Sequence, residues 1–200
     1  MSAPTTAPRS SSIIGLKNLV IAPVLTDTDT ETTYGALVAV TGAIEASVEP
    51  QNTDPDIQYA DDTEYDTVYG DPEVTFNTTM VGIPLEVQKM IFANRMDDNG
   101  VLLRSAYDKP PYFAVGFKSE KADHTYRYVW LYKVRATPMT ESYKTKEGTT
   151  VNRTTSEVKW TAIKRTSDSL YQAVADEGEN GFTPEKAATF LESVYVPTAE

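Results

Sequence analysis

The chain has 200 residues, of which 40% are hydrophobic and 24% charged, globular values that leave room for one ordinary domain. It has no cysteine and a single histidine, His124, which excludes disulfides, thiolate zinc sites, cysteine nucleophiles and a His-rich metal site within one chain. Apolar runs fall far short of a span of about 20 residues, and no N-terminal segment combines a basic start, an apolar stretch and a cleavage site. The expectation is a soluble protein of a reducing cytoplasm, without a signal peptide or membrane anchor.

Charge is distributed unevenly. Residues 18–88 hold 14 acids and no Lys or Arg, whereas residues 89–165 hold 15 basic residues and 8 acids. Solvated loops would explain this, as would salt bridges within the chain. A third reading has the acidic part of one copy meet the basic part of the next.

The chain opens with MSAPTTAPRSSS, which offers nothing from which to build a core, so residues 1–13 are expected to form a flexible arm and 14–200 a single domain. Leu16–Leu25 reads as a strand, with Pro23 marking an edge or a strand end. Leu37–Val40 is a short apolar run of the kind a buried strand shows. Ile44, Ala46 and Val48 then alternate with Glu45, Ser47 and Glu49, the period of a half-buried strand. Residues 50–72 combine dense acids with Tyr59, Tyr65 and Tyr69, without a clear period; a functional loop or a ragged hairpin is expected.

Glu73–Met80 alternates again, with Val74 and Phe76 on one face. A helix follows, with Pro84 in its first turn, an apolar face of Ile83, Val87, Met90 and Ile91, and a stop at Asp97-Asp98-Asn99-Gly100. Three strands come next: Tyr112–Lys118, Tyr126–Arg135 and one within Val151–Ile163, where Val158, Trp160 and Ala162 oppose Glu157, Lys159 and Thr161. Polar Ser119–Asp123 reads as the turn between the first two. In the middle strand Tyr126, Tyr128, Trp130, Tyr132 and Val134 share one face, and Arg127, Val129, Leu131, Lys133 and Arg135 the other. A C-terminal helix is expected over 183–195, capped by Thr183, opened by Pro184 and faced by Ala187, Phe190, Leu191 and Val194. The fold class is mainly β (α+β).

The chemistry-bearing patterns are weak. A Ser–His–carboxylate triad would need His124, which falls beside the expected turn, and the ten glycines are too dispersed for a phosphate loop. The chain is not expected to be an enzyme, and no catalytic residue, cofactor or metal ligand is assigned. Asp27-Thr28-Asp29-Thr30-Glu31 and Asp61-Asp62-Thr63-Glu64-Tyr65-Asp66 gather oxygen ligands, yet an EF-hand counted from Asp27 meets Thr32 at the glycine position and Val38 at the twelfth. The Tyr126–Tyr132 face has the residues of a base-stacking platform, but filling a core is the plainer use of such aromatics.

Several blocks resemble the major tail protein (tail tube protein) of long non-contractile-tailed phages and prophages of Gram-positive bacteria. They are GLKNLVIAPVLTDT (Gly15–Thr28), TYGALVAVTGAIEASVEP (Thr33–Pro50), QYADDTEYD (Gln58–Asp66), IPLEVQKMIFANR (Ile83–Arg95), PYFAVGFKSEKADHTYRYVWLYKVRATP (Pro111–Pro138) and KTKEGTTVNRTTSEVKWTAIKR (Lys144–Arg165). The resemblance implies a tail-tube β-sandwich or barrel with a packed helix. Six copies would form a ring, and rings would stack around a tape-measure protein. Such a tube would meet a tail terminator and distal tail proteins, and double-stranded DNA would pass through it without specific binding. The protein would assemble in the host cytoplasm and reside in the virion. On this reading the acidic segment 50–72, with Tyr59, Asp61, Asp62, Glu64, Tyr65 and Asp66, is an assembly surface, and Glu45 and Glu49 face the lumen. The alternative is a secreted or surface β-sandwich that binds carbohydrate or calcium.

Overall fold

The computed structural model describes residues 11–51, 56–60, 63–68, 70, 73–141, 143, 145 and 154–197. In chain order the strands are β1 (Ile13–Asp27), β2 (Thr32–Tyr34), β3 (Val38–Ala39), β4 (Ala43–Gln51), β5 (Asp56–Ala60), β6 (Thr63–Val68) and β7 (Glu73–Met80). Helix α1 (Leu85–Phe92) follows, then β8 (Arg95–Met96), β9 (Leu102–Leu103), β10 (Tyr112–Lys121), β11 (Tyr126–Ala136), β12 (Ser156–Ala162), β13 (Gln172–Asp176) and helix α2 (Pro184–Thr189). The fold is mainly β.

All pairings are antiparallel, and the main sheet runs β2-β1-β10-β11-β12-β7-β4, with β3 added to β1 and β13 to β11. Strand β11 serves two partners on its second edge. Its first half, Arg127–Leu131, pairs with β13, and its end, Val134–Ala136, pairs with β12. The sheet therefore forks at β11, and the β12-β7-β4 branch folds back over the rest. Ring contacts between unpaired strands establish this: Phe76 of β7 stacks on Phe117 of β10 at 6.0 Å, and Phe113 of β10 meets Trp160 of β12 edge-on at 6.3 Å.

The main core lies between these layers. Leu19, Ile21, Phe113, Val115, Val129 and Leu131 come from one side, and Val74, Phe76, Val158 and Trp160 from the other. Ile91 and Phe92 of α1 join it. A second apolar cluster covers the outer face of β10 and β11, where Tyr128, Trp130 and Tyr132 lie beneath Ala187 and Phe190. Trp130 is fully buried, and its Nε1 donates to the Phe190 carbonyl at 2.9 Å, which ties α2 to the sheet.

Bulges decide which side chains enter which core. Between Phe113↔Val134 and Val115↔Leu131 strand β11 sets two residues, Tyr132 and Lys133, against one on β10, Ala114. Val134 is thereby turned away from the tyrosine face and into the main core beside Leu131, correcting the strict alternation expected across 126–135. Strand β1 does the same between Lys17 and Val20, where Asn18 takes a positive φ of 55°. Leu16 packs on the main core before the bulge, and Leu19 and Ile21 do so after it. Pro23 is not at a sheet edge: it falls between the β1 residues paired with β3 and those paired with β2.

The helices depart from expectation in their limits. Pro84 is the N-cap of α1 rather than its first residue, and Ala93, left-handed at φ 55°, ends the helix before the Asp97–Gly100 turn, which closes the β8–β9 hairpin. There Asn99 and Val101 donate their backbone N–H to Asp97 Oδ1. The regular part of the C-terminal helix is Pro184–Thr189, not 183–195, although Thr183 caps it and Leu191 and Val194 still pack on the second cluster. Strand β10 runs on to Lys121, so its turn lies at 122–124.

Candidate functional site

The outer face of β4, β7 and β12 is polar across all three strands. The register aligns Glu49 with Thr75 and Thr161, Ser47 with Asn77 and Lys159, and Glu45 with Thr79 and Glu157. Glu45 and Glu49 are exposed, as are Glu157 and Lys159, while Ala46 and Val48 turn inward against the core. Expected lumen residues and a short-chain Thr/Ser/Asn surface thus share one face, on which carboxylates outnumber amines. Glu157, which strand periodicity placed on a polar side without linking it to Glu45, joins that face through β7.

The acidic segment 50–72 contains the β5–β6 hairpin. It pairs with no strand outside itself among the described residues. Tyr59 and Tyr65 are 70% and 78% exposed, and Val68 is exposed beside them. Asp66 Oδ1 accepts from the Thr67 backbone N–H at 2.9 Å. Glu64 pairs through its backbone with Tyr59. Asp61 and Asp62 lie outside the described residues. A two-stranded ribbon alone is marginal in water. Two tyrosines held out on it are the amphipathic side chains that interfaces favour.

Besides the short β2 and β3, which pair only with β1, two longer strands of the main sheet keep an unpaired edge among the described residues. Strand β4 pairs only with β7, and β13 only with β11, among the described residues. A cleft of about 610 Å³ separates them, walled by Ile13 and Leu16 of β1, Ile44 and Val48 of β4 and Val174 of β13 over a floor of Phe117. Ile44 and Val174 are about half exposed.

The other candidates become structural. Asp27, first residue of one oxygen cluster, is fully engaged inside the chain: Lys133 Nζ, Thr32 Oγ1 and the Thr166 N–H and hydroxyl all donate to it. Burial opposes its charge, but these donors together hold its pKa well below the usual carboxylate range. No group of three or more His, Cys, Asp and Glu is arranged to hold a metal ion among the described residues. Arg127 is clamped on Asp176 by two 2.7 Å bonds. Arg135, by contrast, is exposed and stacks on Tyr112 at 4.0 Å. The charge asymmetry is therefore partly internal: Asp27 of the acidic stretch meets Lys133 of the basic one.

Tyr128, Trp130 and Tyr132 are buried beneath α2, so the aromatic face is a core and offers no stacking platform. His124 sits in the exposed 122–124 turn at φ 65°, its Nδ1 3.4 Å from Glu120 Oε1. Arg165 was not singled out by the sequence. It is 1% exposed, lies 3.8 Å over the Tyr132 ring and is paired with Asp168. No family model and no curated protein matches the chain.

Proposed function

We propose that this protein is the structural subunit of a phage tail tube, self-assembling into stacked hexameric rings that form the conduit for genome passage. The blocks from Gly15 to Arg165 motivate the reading. The observation that carries it is a sheet left open at β4 and β13. Unpaired edges invite strand addition, and a soluble protein with such edges is served by an assembly that closes them. In a ring, β4 of one copy would continue the sheet of its neighbour.

The remaining surfaces take roles in the same scheme. The polar face with Glu45, Glu49 and Glu157 suits a lumen, because carboxylates repel DNA phosphate and short hydroxyl side chains offer it nothing charged to hold. The β5–β6 hairpin, with Tyr59 and Tyr65 exposed, suits contact with the next subunit or ring.

Negative-stain electron microscopy of concentrated protein, with light scattering before concentration, tests this. Hollow tubes or stacked rings are expected. A strict monomer at every concentration, also in the presence of a tail-tip initiator complex, would overturn the proposal.

A further inference from the structure

A small pocket stands apart from the surfaces described so far. It holds about 300 Å³ and is lined by Phe92, Pro110, Pro138 and Met139, with Asn94 and Ala106 at its side. Its rim is fixed. Asp108 Oδ2 accepts from Asn94 Nδ2 and from the Ser105 N–H, both at 2.8 Å, which pins the turn that presents Tyr107, 90% exposed. On the other flank Arg104 is bidentate on Glu141, and Tyr143, 86% exposed, donates to the same carboxylate. Asn94 is 8% exposed, and its Oδ1 has no hydrogen-bond partner among the described residues. A hollow walled by Phe92, Pro110 and Pro138, with two exposed tyrosines on the flanking segments, is the kind of surface that receives proline-bearing extended peptide.

This chain supplies such a peptide. Residues 1–10 carry Pro4 and Pro8, small residues between them, Arg9 and no acid. Proline fixes its own φ, so a segment with Pro4 and Pro8 has less backbone freedom to lose on docking than one without them. Position also favours an encounter between copies. Ser11 and Ser12 are bound at the 122–124 turn, where Asp123 N–H donates to Ser11 Oγ and Ala122 N–H to the Ser12 carbonyl. Pro110 and Pro138 lie just beyond Tyr112↔Arg135, the opposite end of the β10–β11 ladder. The ladder is about 30 Å long at 3.3 Å per residue. Ser11, from which the arm departs, and the pocket are therefore at opposite ends of one molecule, and head-to-tail stacking would bring the arm of one copy to the pocket of the next. Ten extended residues reach about 33–36 Å.

We infer that the Phe92–Pro110–Pro138–Met139 pocket receives residues 1–10 of a second copy of this chain. The inference rests on the ring stacking proposed above, with copies arranged head to tail, but it fails separately. Because the chain has no cysteine, single cysteines report cleanly. Full-length Ala7→Cys is mixed with full-length Ala106→Cys and oxidised, and mixed disulfides are identified by mass. The expected yield is at least tenfold above that with Thr30→Cys, an exposed control. Adding Met139→Arg to the Ala106→Cys partner should remove the excess, and because Met139 also packs on the main core its melting temperature is measured alongside. If Met139→Arg unfolds the protein, Pro4→Glu with Pro8→Glu in the arm serves the same purpose. Yield no greater than the control, or yield indifferent to both sets of variants, overturns the inference even if tubes form. A specific disulfide without tubes would retain the pocket and discard the tube.

Discussion

Gly116 of β10 lies directly under Trp130, and a Cβ there would sit 2.7 Å from the indole ring. The ring cannot move aside, since it is fully buried and tied to the Phe190 carbonyl. Gly116→Ala should therefore destabilise the fold by about 1–3 kcal/mol through overpacking. Gly82, where an added Cβ would meet nothing within 4 Å, is the control, and a comparison of denaturation midpoints decides. A second prediction concerns acid. Hydrogen bonds from Arg104, then from Tyr143, hold the Glu141 pKa at about 2, against 4.5 for a free side chain. A folded pKa depressed in this way contributes stability that is complete above the unfolded value and is lost as pH falls through the folded one. The stability difference between wild type and Glu141→Gln should thus be constant above about pH 5 and shrink between pH 4.5 and 2. Thermal melts across that range, at low salt, measure it; a difference independent of pH would show that the pair contributes nothing.

At the scale of elements, the β5–β6 hairpin is separable from the fold. It shares no ladder with the main sheet among the described residues, and Tyr59, Tyr65 and Val68 on it are exposed. Replacing residues 56–68 by a short Gly-Ser linker should leave the melting temperature nearly unchanged and abolish polymerisation. Normal tubes from that variant would remove the hairpin from the assembly scheme. Strands with strict alternation were legible in the sequence. Val74 and Phe76 of β7, and Val158 and Trp160 of β12, enter the core as their spacing indicates. Strand β13 was not legible, because Gln172–Asp176 mixes alanine with polar residues and shows neither β-branched enrichment nor a clear face. The bulges of β1 and β11 were hidden for a different reason. A bulge breaks the two-residue period, and only the partner strand reveals where. The burial of Arg165 was equally unreadable, since Tyr132 comes from a distant strand and Asp168 from the following loop.

For the whole molecule, the relevant surface is one that no single strand encodes. Glu45 and Glu49 could be placed on a polar side by alternation, but β7 is needed to carry that side across to Glu157 and Lys159. If this face lines a tube, its charge sign governs what passes. Glu45→Lys combined with Glu49→Lys should still fold, both positions being exposed. Tubes of this variant should retain double-stranded DNA at low salt and release it as salt rises, whereas wild-type tubes retain none. Co-sedimentation with a short duplex measures it, and equal retention by both would place Glu45 and Glu49 outside the lumen.

The fork at β11 has a consequence for how the molecule opens. Its two halves hold different strands on the same edge, β13 near Trp130 and β12 near Val134, while β10 runs along the other edge. Neither layer can peel away without breaking hydrogen bonds that belong to this one strand. Amide hydrogen exchange should therefore find β11 among the slowest segments, with β10 and β12 protected to a similar free energy and the β5–β6 ribbon exchanging long before either. Faster exchange in β12 than in β10 by several kcal/mol would mean that the two layers open as separate units and that the fork is only a point of contact.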